Sequence, residues 1–159
     1  AEGESEPLAR LGVLLMHMLP AAKEDRRFLV LLLPLTEKAE GAAVCAGYDA
    51  AVRQAFTPLL QEQLDACVKA DVIGVPDNPF LAELVACMMC ELWHKMAAQT
   101  LHDLHQGENL EVGTLLDVVN LYRYALEGIL NAPLGSLLLV DLEEAAESLQ
   151  AVMNHLKIA

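Results

Sequence analysis

The stretch FLAELVACMMCELWHKMAAQTLHDLH, residues 80–105, contains no proline or glycine and is rich in Leu, Ala and Met. Leu and Ala are strong helix formers, so this stretch predicts one long helix that starts after the turn residues Asp77 and Asn78. The loop IGVPDNP (73–79) precedes it, and the polar break QGEN (106–109) follows it. The sequence therefore predicts a long helix with a clear break at each end.

The rest of the chain predicts five further helices. Three lie upstream, over about 7–19, 23–40 and 48–72, and two lie downstream, over about 111–130 and 137–157. Pro34 and Pro58 fall inside the second and third helices and should kink or divide them. Residues 1–6 lack bulky apolar side chains, which predicts a disordered tail before a single domain over 7–159. The predicted fold class is an all-α helical bundle of about six helices.

Composition and charge argue against several classes of function. The 159 residues carry 10 Lys and Arg against 23 Asp and Glu, a formal charge of −13. Such a surface repels nucleic-acid phosphates, and no uncharged run is long enough to span a bilayer. No basic region of a signal peptide precedes the first apolar stretch. The four cysteines then fit reduced thiols in the cytoplasm, and they are Cys45, Cys67, Cys87 and Cys90.

No motif points to an enzyme or to a cofactor. The sequence has no GxSxG, no phosphate-binding GKS or GKT, and no HExxH. Glu91 and His94 form one ExxH, but the second motif that a di-iron bundle needs is absent. Cys87, Cys90 and His94 share one helix face and have side chains that suit zinc or copper, although a buried cysteine is more often a small hydrophobic residue. We therefore predict no metal, and a metal or redox protein remains the weaker alternative.

Soft and bulky side chains are spread over the first four predicted helices. Met adapts to irregular space, and helices bent by Pro34 and Pro58 can bow apart and leave a cavity. The alternative is that these side chains are ordinary core residues. The residues predicted to border an apolar ligand pocket are Phe28, Leu32, Phe56, Met88, Met89 and Trp93.

The fifth predicted helix carries apolar residues on more than one face. Such a helix is either the central helix of the fold or part of a subunit interface. We predict a homodimer joined through helices four and five, because a two-fold axis lets each copy cover the other's apolar surface. The alternative is a stand-alone adaptor whose fifth helix receives a partner helix. The predicted interface stripe consists of Leu115, Val119, Tyr122, Leu126 and Ile129.

The order of these segments resembles the C-terminal regulatory domain of TetR-type transcription regulators. The resemblance covers about 7–133 and rests on LLQEQLDACVKADVIGVPDNP (59–79), on the long helix over 80–105 and on LYRYALEGILNAP (121–133). It implies a homodimer that binds a small, mostly apolar effector between helices one to four. It also implies that the first helix, LARLGVLLMHML (8–19), carries movement to the DNA-binding part. The family's helix-turn-helix domain is absent from this chain, so contact with operator DNA would depend on that domain.

We expect the purified chain to retard no duplex DNA at physiological salt, because a charge of −13 opposes contact with phosphates. An electrophoretic mobility shift assay with palindromic and scrambled duplexes checks this, with a basic DNA-binding protein as the positive control. Sequence-selective retardation by this chain alone would contradict the prediction.

Overall fold

The computed structural model describes residues 2–76 and 78–158, and of residues 2–5 only the backbone. The helices are α1 (Glu2–His17), α2 (Arg26–Leu35), α3 (Ala42–Lys69), α4 (Leu81–His105), α5 (Val112–Leu130) and α6 (Leu142–Ile158). Short 3-10 turns over Lys23–Asp25 and Ala39–Gly41 precede α2 and α3. Within the described residues there is no β-strand, which confirms the predicted all-α bundle. No described helix is both long and apolar enough to cross a membrane.

The first helix begins earlier than the sequence suggested. It starts at Glu2, whereas a tail was predicted for 1–6 and a helix from Pro7. The Arg10 guanidinium contacts the Glu6 carboxylate at 2.9 Å, a pair one helical turn apart that supports the extension. Ala1 lies outside the described residues, as does Asp77, which was predicted to help to start the fourth helix.

The segment predicted as a second helix over 23–40 is divided, as the internal proline suggested. α2 ends at Leu35, directly after Pro34, and α3 begins at Ala42 rather than near Tyr48. Gly41 permits the tight corner between them, because a Cβ atom there would lie 2.2 Å from the Leu35 carbonyl oxygen. The second internal proline, Pro58, lies within α3 without ending it.

The central helix of the bundle is α4, which packs against α2, α3, α5 and α6. Its buried residues run along the whole helix, from Ala82 to Asp103. Small side chains such as Ala86 and Ala97 let the neighbouring helices approach closely. The hydrophobic core that forms around α4 is continuous and includes residues of all six helices. A central position was one of the two possibilities for the fifth helix. In the structure, α4 occupies that position instead.

The last helix begins later than predicted, at Leu142 rather than near Leu137. Residues 137–141 are not helical, and their backbone runs over α1, where the Leu138 carbonyl oxygen lies 3.5 Å from the position of a Cβ atom at Gly12. Asp141 then starts α6, because its carboxylate accepts a hydrogen bond from the Glu144 amide at 3.1 Å.

Two buried carboxylates fix the loops on either side of α5. Asp103 accepts a hydrogen bond from the Glu111 amide at 2.9 Å and so holds the loop that leads into α5. Glu127, only 2% exposed, accepts hydrogen bonds from the Gly135 and Leu137 amides, both at 3.0 Å. The bond to Leu137 satisfies a buried amide group that would otherwise lose its partner on folding, and the other two bonds hold the partly exposed loops.

We expect Glu127→Ala to lower the free energy of unfolding by about 3 kcal/mol, because two amide groups lose a charged acceptor. Urea denaturation followed by circular dichroism measures the change. Glu147→Ala is the matched control, since Glu147 is exposed on α6 and should change stability by no more than about 0.5 kcal/mol. Equal stability of the two variants would contradict the role given to Glu127.

Candidate functional site

The six residues predicted to border a ligand pocket do not surround a common opening. Leu32, Met89 and Trp93 are buried in the core, and Phe56 and Met88 are half-buried against it. Phe28 is exposed, with its ring 5.4 Å from the ring of Tyr48. None of the six lines any of five of the best-formed clefts on the described residues. In this conformation they are core and surface residues, and the pocket itself stays a prediction.

The predicted interface stripe on the fifth helix is divided between the core and the surface. Leu115, Val119 and Leu126 are buried within the chain itself, so a second copy cannot reach them without unfolding α5. Tyr122 is half-buried, and Ile129 is 42% exposed. The stripe must therefore be corrected: three of its members face the chain's own core, and only Tyr122 and Ile129 reach the surface.

A different surface joins α4 and α5 on the outside of the bundle. On α4, Leu84, Met88, Glu91 and Lys95 follow one another at intervals of three and four residues and so share one side of the helix. On α5, Val118, Tyr122, Ala125 and Ile129 repeat the same spacing, with Leu121 beside them. We call these nine residues the α4–α5 face.

A hydrogen bond shows that the two rows of the α4–α5 face lie side by side. The Tyr122 hydroxyl donates to the Glu91 carboxylate at 2.8 Å. Partial burial and this acceptor raise the pKa of Tyr122 to about 12, so its hydroxyl stays protonated and remains a donor at neutral pH. The bond fixes the relative position of the two helices at the middle of the face.

The α4–α5 face exposes several apolar side chains on a protein that is acidic as a whole. Leu84 is 47% exposed, Leu121 64% and Ile129 42%, while Met88, Val118 and Tyr122 are half-buried beside them. Its only charged residues, Glu91 and Lys95, are of opposite sign. A surface of this kind suits contact with another apolar helical surface rather than chemistry on a substrate.

In the set Cys87, Cys90 and His94, which the sequence offered only as the weaker metal-binding alternative, the histidine contacts a carboxylate. The Nε2 atom of His94 lies 2.5 Å from the Asp49 carboxylate of α3. All four cysteines are free thiols, and Cys87 is exposed whereas Cys90 is buried. Across the described residues, no three His, Cys, Asp or Glu side chains come together as ligands for one metal ion.

Burial makes Cys90 a poor nucleophile. Its surroundings, together with the negative charge of Asp49, raise the pKa of the thiol to about 11. Burial also raises the pKa of Cys45 and of Cys67. Because the thiolate is the reactive form, these three thiols are suited to packing rather than to redox chemistry at neutral pH.

The chain was also compared with known proteins. No family model, curated protein or solved structure matched it. The structure is an all-α bundle whose α4–α5 face exposes apolar side chains, and the resemblance to TetR-type regulators stays a prediction.

We expect iodoacetamide at about pH 8 to label Cys87 first and Cys90 much more slowly. Cys87 is exposed, whereas the raised pKa keeps the buried Cys90 as a thiol; labelling of Cys90 should accelerate as the pH rises towards 11. Peptide mass mapping over time measures both rates, and Cys87→Ser should remove the fast site. Equal rates at the two cysteines in the folded protein would show that Cys90 is not buried as described.

Proposed function

We propose that this chain is the dimerisation and effector-sensing domain of a TetR-like transcription regulator. The observation that carries the proposal is the α4–α5 face, which exposes apolar side chains along two adjacent helices. A soluble monomer gains nothing from such a surface, whereas a second copy would remove it from water. Dimerisation through two consecutive helices is also what the resemblance implies.

A two-fold axis through the α4–α5 face would bring four helices together, two from each copy. Residues of one copy then meet the equivalent surface of the other, so the face has to complement itself. Glu91 and Lys95 lie one turn apart, and each can approach the opposite charge of the second copy. Four helices in contact bury about 1,500–2,500 Å², which is the range of a stable dimer.

The strong negative charge of each copy opposes this association. Salt weakens repulsion between exposed charges that are more than about 8–10 Å apart. The α4–α5 face itself carries no net charge, since Glu91 and Lys95 balance. Burial of Leu84, Leu121 and Ile129 therefore has to overcome only the repulsion from more distant carboxylates, and the dimer should tighten as salt rises.

In the proposed mechanism, α1 carries the signal out of the domain. Its apolar side packs against α3, and residues 137–141 cross it at Gly12. α1 can occupy different positions in different conformations of the domain. An effector that binds one of these conformations more tightly shifts the population towards it. In a regulator with DNA-reading domains attached to α1 of each copy, this shift changes the distance between them.

Entry of an effector between the helices has a structural cost in the present conformation. Leu32, Met89 and Trp93 are packed together with the core, so a ligand that enters beside them has to displace α2 or α3. The proposed sensing therefore requires either a second, more open conformation or a site at the surface.

We expect the wild-type chain to be a dimer of twice 17.3 kDa at about 10 µM, and Ile129→Glu to weaken the dimer by about 100-fold. The glutamate would place two like charges at a surface that is otherwise neutral and apolar. Light scattering coupled to size exclusion measures the mass of both proteins.

Leu116→Glu is the matched control for this experiment. Leu116 is 40% exposed, nearly as much as Ile129, but it lies on the other flank of α5. This variant should stay dimeric. A monomeric wild-type chain would contradict the proposal and favour the adaptor alternative, and a Leu116→Glu monomer beside an Ile129→Glu dimer would place the interface on another side of α5.

A further inference from the structure

One cleft on the bundle differs in charge from four others that we compared with it. It lies between α2 and α6, has a volume of about 340 Å³, and is lined by Arg26, Arg27, Val30, Ala151, Val152 and His155. Each of these four clefts is lined by at least one Asp or Glu, namely Asp65, Glu24, Glu83 or Glu37. In a chain with 23 carboxylates, this cleft, which we call the arginine cleft, has none in its lining.

The walls of the arginine cleft are held in register by contacts on successive turns. The backbone amide of Lys23 donates to the Glu144 carboxylate at 2.8 Å, and the Nε atom of Arg26 donates to the Ser148 hydroxyl at 3.1 Å. Residue numbers rise together along the two helices, so α2 and α6 run parallel. Ser148 is fully buried, and its bond to Nε anchors the Arg26 guanidinium against α6.

Neither arginine forms an ion pair with another described residue. Among the described residues no Asp or Glu oxygen lies within 4.0 Å of Arg26 or Arg27. A guanidinium with its Nε already bonded still presents its remaining N–H donors, and their planar arrangement matches a carboxylate. The floor beneath them is apolar, formed by Val30, Ala151 and Val152. The cleft thus combines paired positive charge at one part with an apolar surface at another.

We propose that the arginine cleft binds a small amphipathic carboxylate, with the carboxylate on Arg26 and Arg27 and its alkyl chain on Val30 and Ala151. The volume is at the lower end of that of small-molecule sites, which favours a short chain over a long lipid. Both parts of the ligand are needed, because the charge selects against neutral molecules and each methylene that leaves water adds about fourfold affinity. The site is at the surface, so binding requires no opening of the core.

This inference rests on the proposed function only in making the carboxylate its effector; the binding itself is independent of dimerisation. The test uses three probes on the full chain: octanoate, 1-octanol, which has the chain without the charge, and acetate, which has the charge without the chain. The methyl resonances of Val30 and Val152 report binding at the cleft, and Val68 on α3, which does not line the cleft, serves as a reference. Light scattering on the same samples reports the dimer separately.

We expect octanoate to shift the Val30 and Val152 methyl resonances and to bind at least tenfold more tightly than either 1-octanol or acetate. Arg27→Gln should weaken octanoate binding by about tenfold, because it removes one charged donor. Arg27 is exposed and makes no hydrogen bond with another described side chain, so this variant should fold normally. Lys38→Gln removes the same charge from an exposed position outside the cleft and should leave the affinity within about twofold.

Three results would overturn the proposal: no shift of the Val30 and Val152 methyl resonances up to about 10 mM octanoate, equal binding of octanoate and 1-octanol, or equal effects of Arg27→Gln and Lys38→Gln. The variant Arg26→Gln provides a second test of the binding site. It should weaken binding at least as much as Arg27→Gln, and circular dichroism shows whether loss of the Ser148 bond has also changed the fold. Octanoate binding by a monomeric chain would support the arginine cleft as a binding site and contradict the proposed dimerisation. A dimer that does not bind octanoate would support dimerisation and contradict the binding site.

Discussion

The burial of α4 is the constraint on which the rest of the structure depends. This helix has buried residues from Ala82 to Asp103 and contacts four other helices, so each of them must turn an apolar side towards it. With α3 and α5 on its two flanks, the side that carries Leu84, Cys87, Glu91, Lys95 and Ala98 remains exposed. The same packing that forms the core thereby decides which part of α4 is free to meet another molecule, and it places that part beside α5.

The helices could be predicted from the sequence because their signals are local. Proline, glycine and polar breaks separate the apolar segments, and the periodicity within 80–105 and 111–130 is visible without any tertiary information. The late start of α6 could also have been predicted, because Asp141 and Glu144 have the spacing of a capping box at the start of a helix. The apolar residues Leu137 to Val140 concealed that signal, since they resemble the continuation of a helix.

The candidate surfaces were harder to predict because helical periodicity does not say which apolar side faces inward. On α5 the sequence offers two neighbouring apolar stripes, and the choice between them depends on where α4 and the loop after α5 lie. Glu127 holds that loop against α5, and Leu115 and Leu126 are buried in the core, which leaves Tyr122 and Ile129 at the edge. The arginine cleft was invisible for a related reason, since Arg26 and Ser148 are 122 positions apart.

The parallel pairing of α2 and α6 also has a consequence for how the chain acquires its shape. The contact between Lys23 and Glu144 closes a loop of 121 positions, and the entropy lost in closing a loop grows with its length. Contacts between helices adjacent in sequence, such as α3 with α4 and α4 with α5, form across much shorter separations. During synthesis on the ribosome, the side of α2 that packs against α6 therefore stays exposed to solvent until α6 emerges. The N-terminal half of the protein completes its folding only when the last helix arrives.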